Sequence, residues 1–272
     1  MKRTTPFKAP ADFEKELAEF ANKHKITLAE HSKQISDYFE MTCYNLVVQY
    51  YEKLGYDVEV QNLKGGMFKY KCSPKGFLQN FSYFKAIKTN GDVIEDVVYI
   101  FHNATVQSAF DDVVYTTPDV VISKSDKPSE TTDHYVTKLK LTYINRDNLV
   151  SFCEAKHYNP HPELMINFIG TVHELKPNCL KDAVVISGSE HLAPSLMMSG
   201  TFGKPTRKIK DSLESRYYIN FFDNLFEMSA KTFLTKRKMG KIATLGRKCV
   251  KDTTKMAEYP VSDDMMDLFN TL

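Results

Sequence analysis

The chain has 272 residues, 42% of them hydrophobic and 26% charged, and its 36 basic and 34 acidic side chains leave a formal net charge of +2. That composition excludes low-complexity disorder and suits one sizeable core with additions. The sequence has no run of about 18 uncharged apolar residues, and no apolar leader follows Met1-Lys2-Arg3, so neither a membrane span nor a secretory signal is expected and the cytoplasm is the expected location.

A first helix is predicted over Asp12–Lys23, where Phe13, Leu17 and Phe20 recur at helical spacing. Thr27-Leu28-Ala29-Glu30 has the form of a capping box and predicts a second helix running to about Leu54, with Ile35, Phe39, Leu46, Tyr50 and Leu54 on its apolar face and Gly55 as its stop. Strands follow over Gly55–Val60, Phe68–Cys72 and Phe81–Ile87, and after Asn90-Gly91-Asp92 over Val93–Phe101. A strand carrying Pro118-Asp119 comes next, then a polar loop over Ser123–His134, then strands over Tyr135–Ile144 and Leu149–Lys156.

Pro160 and Pro162 introduce a helix with Met165, Phe168, Ile169, Val172 and Leu175 on one side, and Asp182–Ser187 reads as a short strand. Asp211–Lys231 is rich in aromatics (Tyr217, Tyr218, Phe221, Phe222, Phe226) and reads as a helix, serving either the core or a homodimer contact. From Lys231 to Lys255 the chain is basic, and beyond Glu258 it turns acidic. The expected organisation is a mixed α/β core with N-terminal helices over 1–195 and a helical, basic C-terminal extension over 196–272, packed together.

The five cysteines include no Cys-x-x-Cys, so neither a disulfide framework nor a zinc ribbon is suggested. Cys153, His157 and His161 are spaced by four, but Pro160 and Pro162 break the helix that zinc ligation at that spacing would need. Gly200-Thr201-Phe202-Gly203-Lys204 lacks the spacing of a phosphate-binding P-loop, and neither a nucleophile elbow nor a dinucleotide glycine motif is present.

Two apolar strands carry misplaced charge, which is costly when buried and unpaired. One is Thr117-Pro118-Asp119-Val120-Val121-Ile122, the other Phe152-Cys153-Glu154-Ala155-Lys156. Glu154 and Lys156 are two residues apart, so on a strand they share a face. With Asp119 from a neighbouring strand they would make a site for a hard divalent cation and a phosphate. Blander roles stay open: Asp119 as a strand-end acceptor, Glu154 and Lys156 as a solvated ion pair, Asp111 and Asp112 as loop residues. Glu174-Leu175-Lys176 repeats the Glu-x-Lys pattern, but on a predicted helix, and is set aside.

Pro118-Asp119 with Glu154-Ala155-Lys156 resembles the two half-motifs of the PD-(D/E)XK nuclease superfamily, over roughly Leu28–Ser187. The resemblance implies a restriction-endonuclease-like mixed central sheet flanked by helices, with Asp119 and Glu154 as metal ligands and Lys156 assisting attack on a phosphodiester. It also implies a glutamate on the preceding helix as a further catalytic and metal-binding residue. Glu40 matches best, since it lies in an apolar stripe with Tyr44, Val47 and Tyr51, although an ordinary surface carboxylate remains open.

The expected cofactor is Mg²⁺, with Mn²⁺ able to substitute. The expected substrate is DNA in preference to RNA, cut by an endonuclease in a restriction, defence or DNA-processing role, alone, as a homodimer or with other subunits. His157, Lys204, Arg207, Lys208, Lys236, Arg237 and Lys238 are the candidates for holding the phosphate backbone. The rivals are a non-catalytic nucleic-acid-binding or assembly subunit, and an enzyme acting on another phosphate ester.

Overall fold

The computed structural model describes residues 10–25, 27–28, 35–134, 139–179 and 191–225. Helix α1 (Pro10–Lys23) forms where helical spacing predicts it and buries Leu17, Phe20 and Ala21. Thr27 does not cap a helix. Thr27–Leu28 is strand β1, helix α2 is described over Ile35–Lys53, and residues 29–34, which the expected helix also covered, lie outside the described residues. Phe39, Met41, Tyr44, Val47, Val48 and Tyr51 on α2 are each no more than 1% exposed, as befits a helix that is apolar nearly all round. Gly55, at φ 86°, ends it in the left-handed conformation that suits glycine.

Strand β2 (Asp57–Gln61) follows, then β3 (Met67–Phe68), which pairs in parallel with β1 and so holds Thr27 and Leu28 extended. The strand expected over Phe68–Cys72 stops at Phe68, because Ser82 takes over the pairing: its N–H donates to the Lys69 carbonyl and its hydroxyl accepts from the Lys69 N–H. Strands β4 (Tyr83–Asn90) and β5 (Val93–His102) form a hairpin about Gly91-Asp92, with Asn90 opposite Val93. A small hairpin, β6 (Val106–Gln107) with β7 (Tyr115–Thr116), leads the chain back to Pro118 and into β8 (Val120–Ser123).

The polar stretch after β8 is not all loop, since β9 (Ser129–Thr131) pairs antiparallel with β10 (Leu141–Tyr143). Of the strand expected over Tyr135–Ile144, the described part is β10, and residues 135–138 lie outside the described residues. Strand β11 (Leu149–Lys156) has the predicted bounds, and α3 (Pro162–Leu175) has Pro162 in its first turn. The strand expected over Asp182–Ser187 lies outside the described residues.

After them come β12 (Ser195–Met198), α4 (Lys204–Arg216) and β13 (Asn220–Phe222). The aromatic helix expected over Asp211–Lys231 is therefore corrected. The helix ends at Arg216, and Asn220–Phe222 pairs in parallel with β12. Alternation explains the change: Phe221 enters one hydrophobic core and Phe222 the other, as neighbours on a strand do. The rings of Phe221 and Phe222 are spent inside the fold, while Tyr217 and Tyr218 are half-buried.

The central sheet has seven strands in the order β13-β12-β11-β8-β5-β4-β2. β11, β12 and β13 run parallel to one another and the remaining neighbours are antiparallel, so the sheet is mixed. α3 and α4 supply the crossovers that parallel neighbours need. Residues 195–222 thus extend the sheet itself, and the extension expected to be helical contributes two of its strands; residues 226–272 lie outside the described residues.

Two cores cover the two sides. Val120, Ile122, Cys153, Ala155 and Phe222 join α1 and α2, while Val121, Phe152, Leu196, Met198 and Phe221 join α3 and α4. The unbroken burial of β8 and of the start of β11, Ser123 and Ser151 included, follows from this double cover.

Candidate active site

Asp119 immediately precedes β8, and both neighbouring strands hold it. The Asn103 N–H, just past the end of β5, donates to the Asp119 carbonyl at 2.9 Å, and the Ala155 N–H of β11 donates to Asp119 Oδ2 at 2.6 Å. Lys156 Nζ lies 3.0 Å from that same Oδ2 and 2.7 Å from Glu154 Oε2. The side chains of Asp119 and Glu154 are 9% and 14% exposed, and that of Lys156 is 32% exposed. Three residues chosen for misplaced charge therefore meet at one end of the sheet.

Glu40 reaches them from α2. Its Oε2 accepts a hydrogen bond from Asn103 Nδ2 at 3.1 Å, and its carboxyl feels the charges of both Asp119 and Lys156. Burial, then repulsion from Asp119, pushes Glu40 up to about 7 against the pull of Asn103 and Lys156. Burial and Asp119 likewise push Glu154 up to about 7, although Lys156 opposes them. Burial pulls the Lys156 ammonium down, but Asp119 and Glu154 outweigh it and hold its pKa above the ordinary value.

When every group is ionised, three carboxylates face one ammonium, and two negative charges remain uncompensated in a largely buried setting. The donor chemistry fits a hard divalent cation, which prefers oxygen ligands and is commonly held by one or two carboxylates with water completing its shell. Among the described residues no three His, Cys, Asp or Glu side chains are gathered closely enough to hold an ion as they stand. Lys156 pairs with both carboxylates, so the fit is to the Asp119 and Glu154 pair, with Glu40 beside it.

The other candidates divide. Lys204, Arg207 and Lys208 are exposed in the first two turns of α4. The segment leading to α4 runs beside the site, since Met198 is opposite Lys156, and the Ser199 and Gly200 N–H groups donate to the Lys156 and Tyr158 carbonyls at 3.3 and 3.0 Å. His157 is half-buried beside α2. Its ring packs against Phe39 at 5.4 Å with both nitrogens turned out of solvent, and burial lowers its pKa. Lys236, Arg237 and Lys238 lie outside the described residues. Cys153 is fully buried and His161 accepts from the Leu164 N–H as the cap of α3.

Sequence reasoning passed over Asn103, Lys71 and Gly200. A Cβ on Gly200 would lie 2.6 Å from Asn159 Cα, so only glycine lets the loop after β12 pass the chain leaving Lys156. Lys71 gave no signal, because in Phe68-Lys69-Tyr70-Lys71-Cys72 the two lysines alternate with apolar residues as on a half-exposed strand, and only the fold buries Lys71 while leaving Lys69 exposed. Asn103 had no signal beyond its place at a strand end. Comparison with models of known protein families, with curated proteins and with solved structures finds no match to this chain.

Proposed function

We propose that this protein is a metal-dependent nuclease that hydrolyses phosphodiester bonds, with DNA as its substrate. The observation that carries this reading is the convergence of Glu40, Asp119, Glu154 and Lys156. The element order α2, β5, β8, β11, α3, β12 supports assigning the core to the restriction-endonuclease-like fold. Asp119 and Glu154 would hold Mg²⁺ or Mn²⁺, with Glu40 adjoining. The bound ion supplies polarisation of the phosphate and a more acidic water.

Lys156, held between Asp119 and Glu154, would place positive charge beside the phosphate oxygens as negative charge develops and so assist the attack. Lys204, Arg207 and Lys208 hold the backbone without reading sequence. Plasmid cleavage with Mg²⁺, with chelator and with Lys156→Ala tests the mechanism. Cleavage is expected only in the first condition, and activity surviving both treatments overturns it.

One observation favours a second reading. Lys156 already pairs with Asp119 and Glu154, which suits a non-catalytic DNA-binding subunit that uses the lysine as an internal counterion. Such a protein would bind DNA unchanged in Asp119→Ala and show no Mn²⁺ binding by calorimetry.

A further inference from the structure

Asn103 occupies a position that no charge or apolar pattern marks. It is 5% exposed, follows β5, and adopts φ 50°, the left-handed region that asparagine tolerates better than most residues. Three bonds leave it in three directions. Its N–H donates to the Asp119 carbonyl at 2.9 Å, its side-chain amide donates to Glu40 Oε2 at 3.1 Å, and its carbonyl accepts from Lys71 Nζ at 2.6 Å. The same residue thus ties the strand end bearing Asp119 to the helix bearing Glu40.

Lys71 explains why Asn103 stays there. Its ammonium is buried, with 2% of the residue exposed, and donates to the carbonyls of Ser73 at 2.8 Å, Pro74 at 2.9 Å and Asn103 at 2.6 Å. All three donor positions of the ammonium are therefore filled by backbone carbonyls. Burial pulls its pKa down to about 8. A buried ammonium held only by carbonyls is expensive. A less demanding residue would serve if the segment were merely structural filling.

We propose that Asn103 is a positioning residue that presents the Glu40 carboxylate to the divalent cation, and that Lys71 clamps Asn103 in the left-handed conformation this needs. The proposal rests on the metal-dependent reading of the site. Partners that orient ligands in this way typically contribute about 10–100-fold to metal affinity.

Asn103→Gly is the cleanest probe. It keeps the N–H, the carbonyl and the left-handed backbone and removes only the amide that reaches Glu40. Mn²⁺ affinity measured by calorimetry on the full chain is expected to fall about tenfold, with the melting temperature lowered by only about 2–4 °C for the one hydrogen bond removed. The loss in cleavage should appear in kcat, with KM for DNA unaltered. In a Glu40→Ala background the same substitution should cause no further loss of affinity, because the amide then has nothing to position.

In the crystal structure of Asn103→Gly the Glu40 carboxylate should leave residue 103. Mn²⁺ affinity within about twofold of wild type, or a loss that simply adds to that of Glu40→Ala, overturns the proposal. Wild-type protein that neither binds Mn²⁺ nor cleaves DNA removes the nuclease reading instead. The crystal structure of Asn103→Gly then decides the positioning claim alone, and an unmoved Glu40 overturns it.

Discussion

Glu154-Ala155-Lys156 and Glu174-Leu175-Lys176 carry the same residue types at the same spacing, one on a strand and the other at the end of a helix. On β11 the period of two puts Glu154 and Lys156 on one face, where Lys156 Nζ pairs with both Glu154 and Asp119. At the end of α3 Glu174 is still helical while Lys176 is already the cap, at φ −141°, so no common strand face holds the two together. Glu174 accordingly takes a hydrogen bond from the Ser108 hydroxyl, while Lys176 Nζ donates to the Leu149 carbonyl at 2.7 Å and fastens α3 to the start of β11. Identical side chains thus become a charge cluster in one frame and two separate struts in the other.

The largest expected contrast comes from removing each lysine. Lys156→Ala should lower the cleavage rate by about 10²–10³-fold, the usual loss when a preorganised charge stabiliser is deleted. Lys176→Ala should leave cleavage nearly unchanged and lower stability by about 1 kcal/mol, since it removes one hydrogen bond to a carbonyl. Plasmid cleavage and urea denaturation of the two variants check the pair, and equal cleavage rates would break the comparison.

Gly200→Ala acts next to Lys156 without touching its charge. The new Cβ collides with Asn159, so a stability loss of about 1–3 kcal/mol is expected. A disproportionate loss of cleavage should accompany it, because the displaced chain carries Lys156. Normal stability and normal cleavage together would show that the loop has room the structure does not display.

A smaller effect follows from the raised carboxyls. Glu40 and Glu154 ionise near 7 in the folded protein but near the ordinary carboxylate value when unfolded, so the folded state holds protons more tightly. Their contribution to stability is full below the unfolded value and is lost as pH rises through about 7. Chemical denaturation should therefore show stability falling between pH 5 and 8 by on the order of a few kcal/mol, with Mg²⁺ restoring it at pH 8. Glu154→Gln should flatten the profile while abolishing cleavage, whereas Glu174→Gln should leave the profile as it is.

The smallest effect concerns the surface. Replacing Lys204, Arg207 and Lys208 with alanine should reduce the slope of log affinity for DNA against log salt by about 0.9 for each phosphate that is no longer neutralised. An unchanged slope in filter-binding or anisotropy titrations would remove α4 from the DNA path.

The parts of the fold legible in the sequence were those governed by local period and punctuation. β11 has its predicted bounds, α3 starts at its proline, and the β4–β5 hairpin turns at Gly91. Thr27 misled because a capping-box pattern says nothing about a partner strand forty residues away in the chain, and β3 captured it. The aromatic run after Asp211 misled because Phe221 and Phe222 can lie on a helix or alternate across a sheet. The adjacent edge of β12 decided for the sheet. His157 shows the converse: its position after Lys156 was legible, but the Phe39 ring that covers it comes from α2.

By itself the sequence determined which residues were out of place: acids and a lysine inside runs too apolar to tolerate them unpaired, at spacings that share a strand face. Only the tertiary structure decided what surrounds them. Asp119 meets Glu154 and Lys156 because β8 and β11 are antiparallel neighbours in a particular register, and Glu40 joins because α2 crosses the same end of the sheet. Register, helix placement and the left-handed turn at Asn103 arise from contacts between segments far apart in the chain. Local patterns carry the cost of a buried charge, but the partner that relieves it is supplied by the fold.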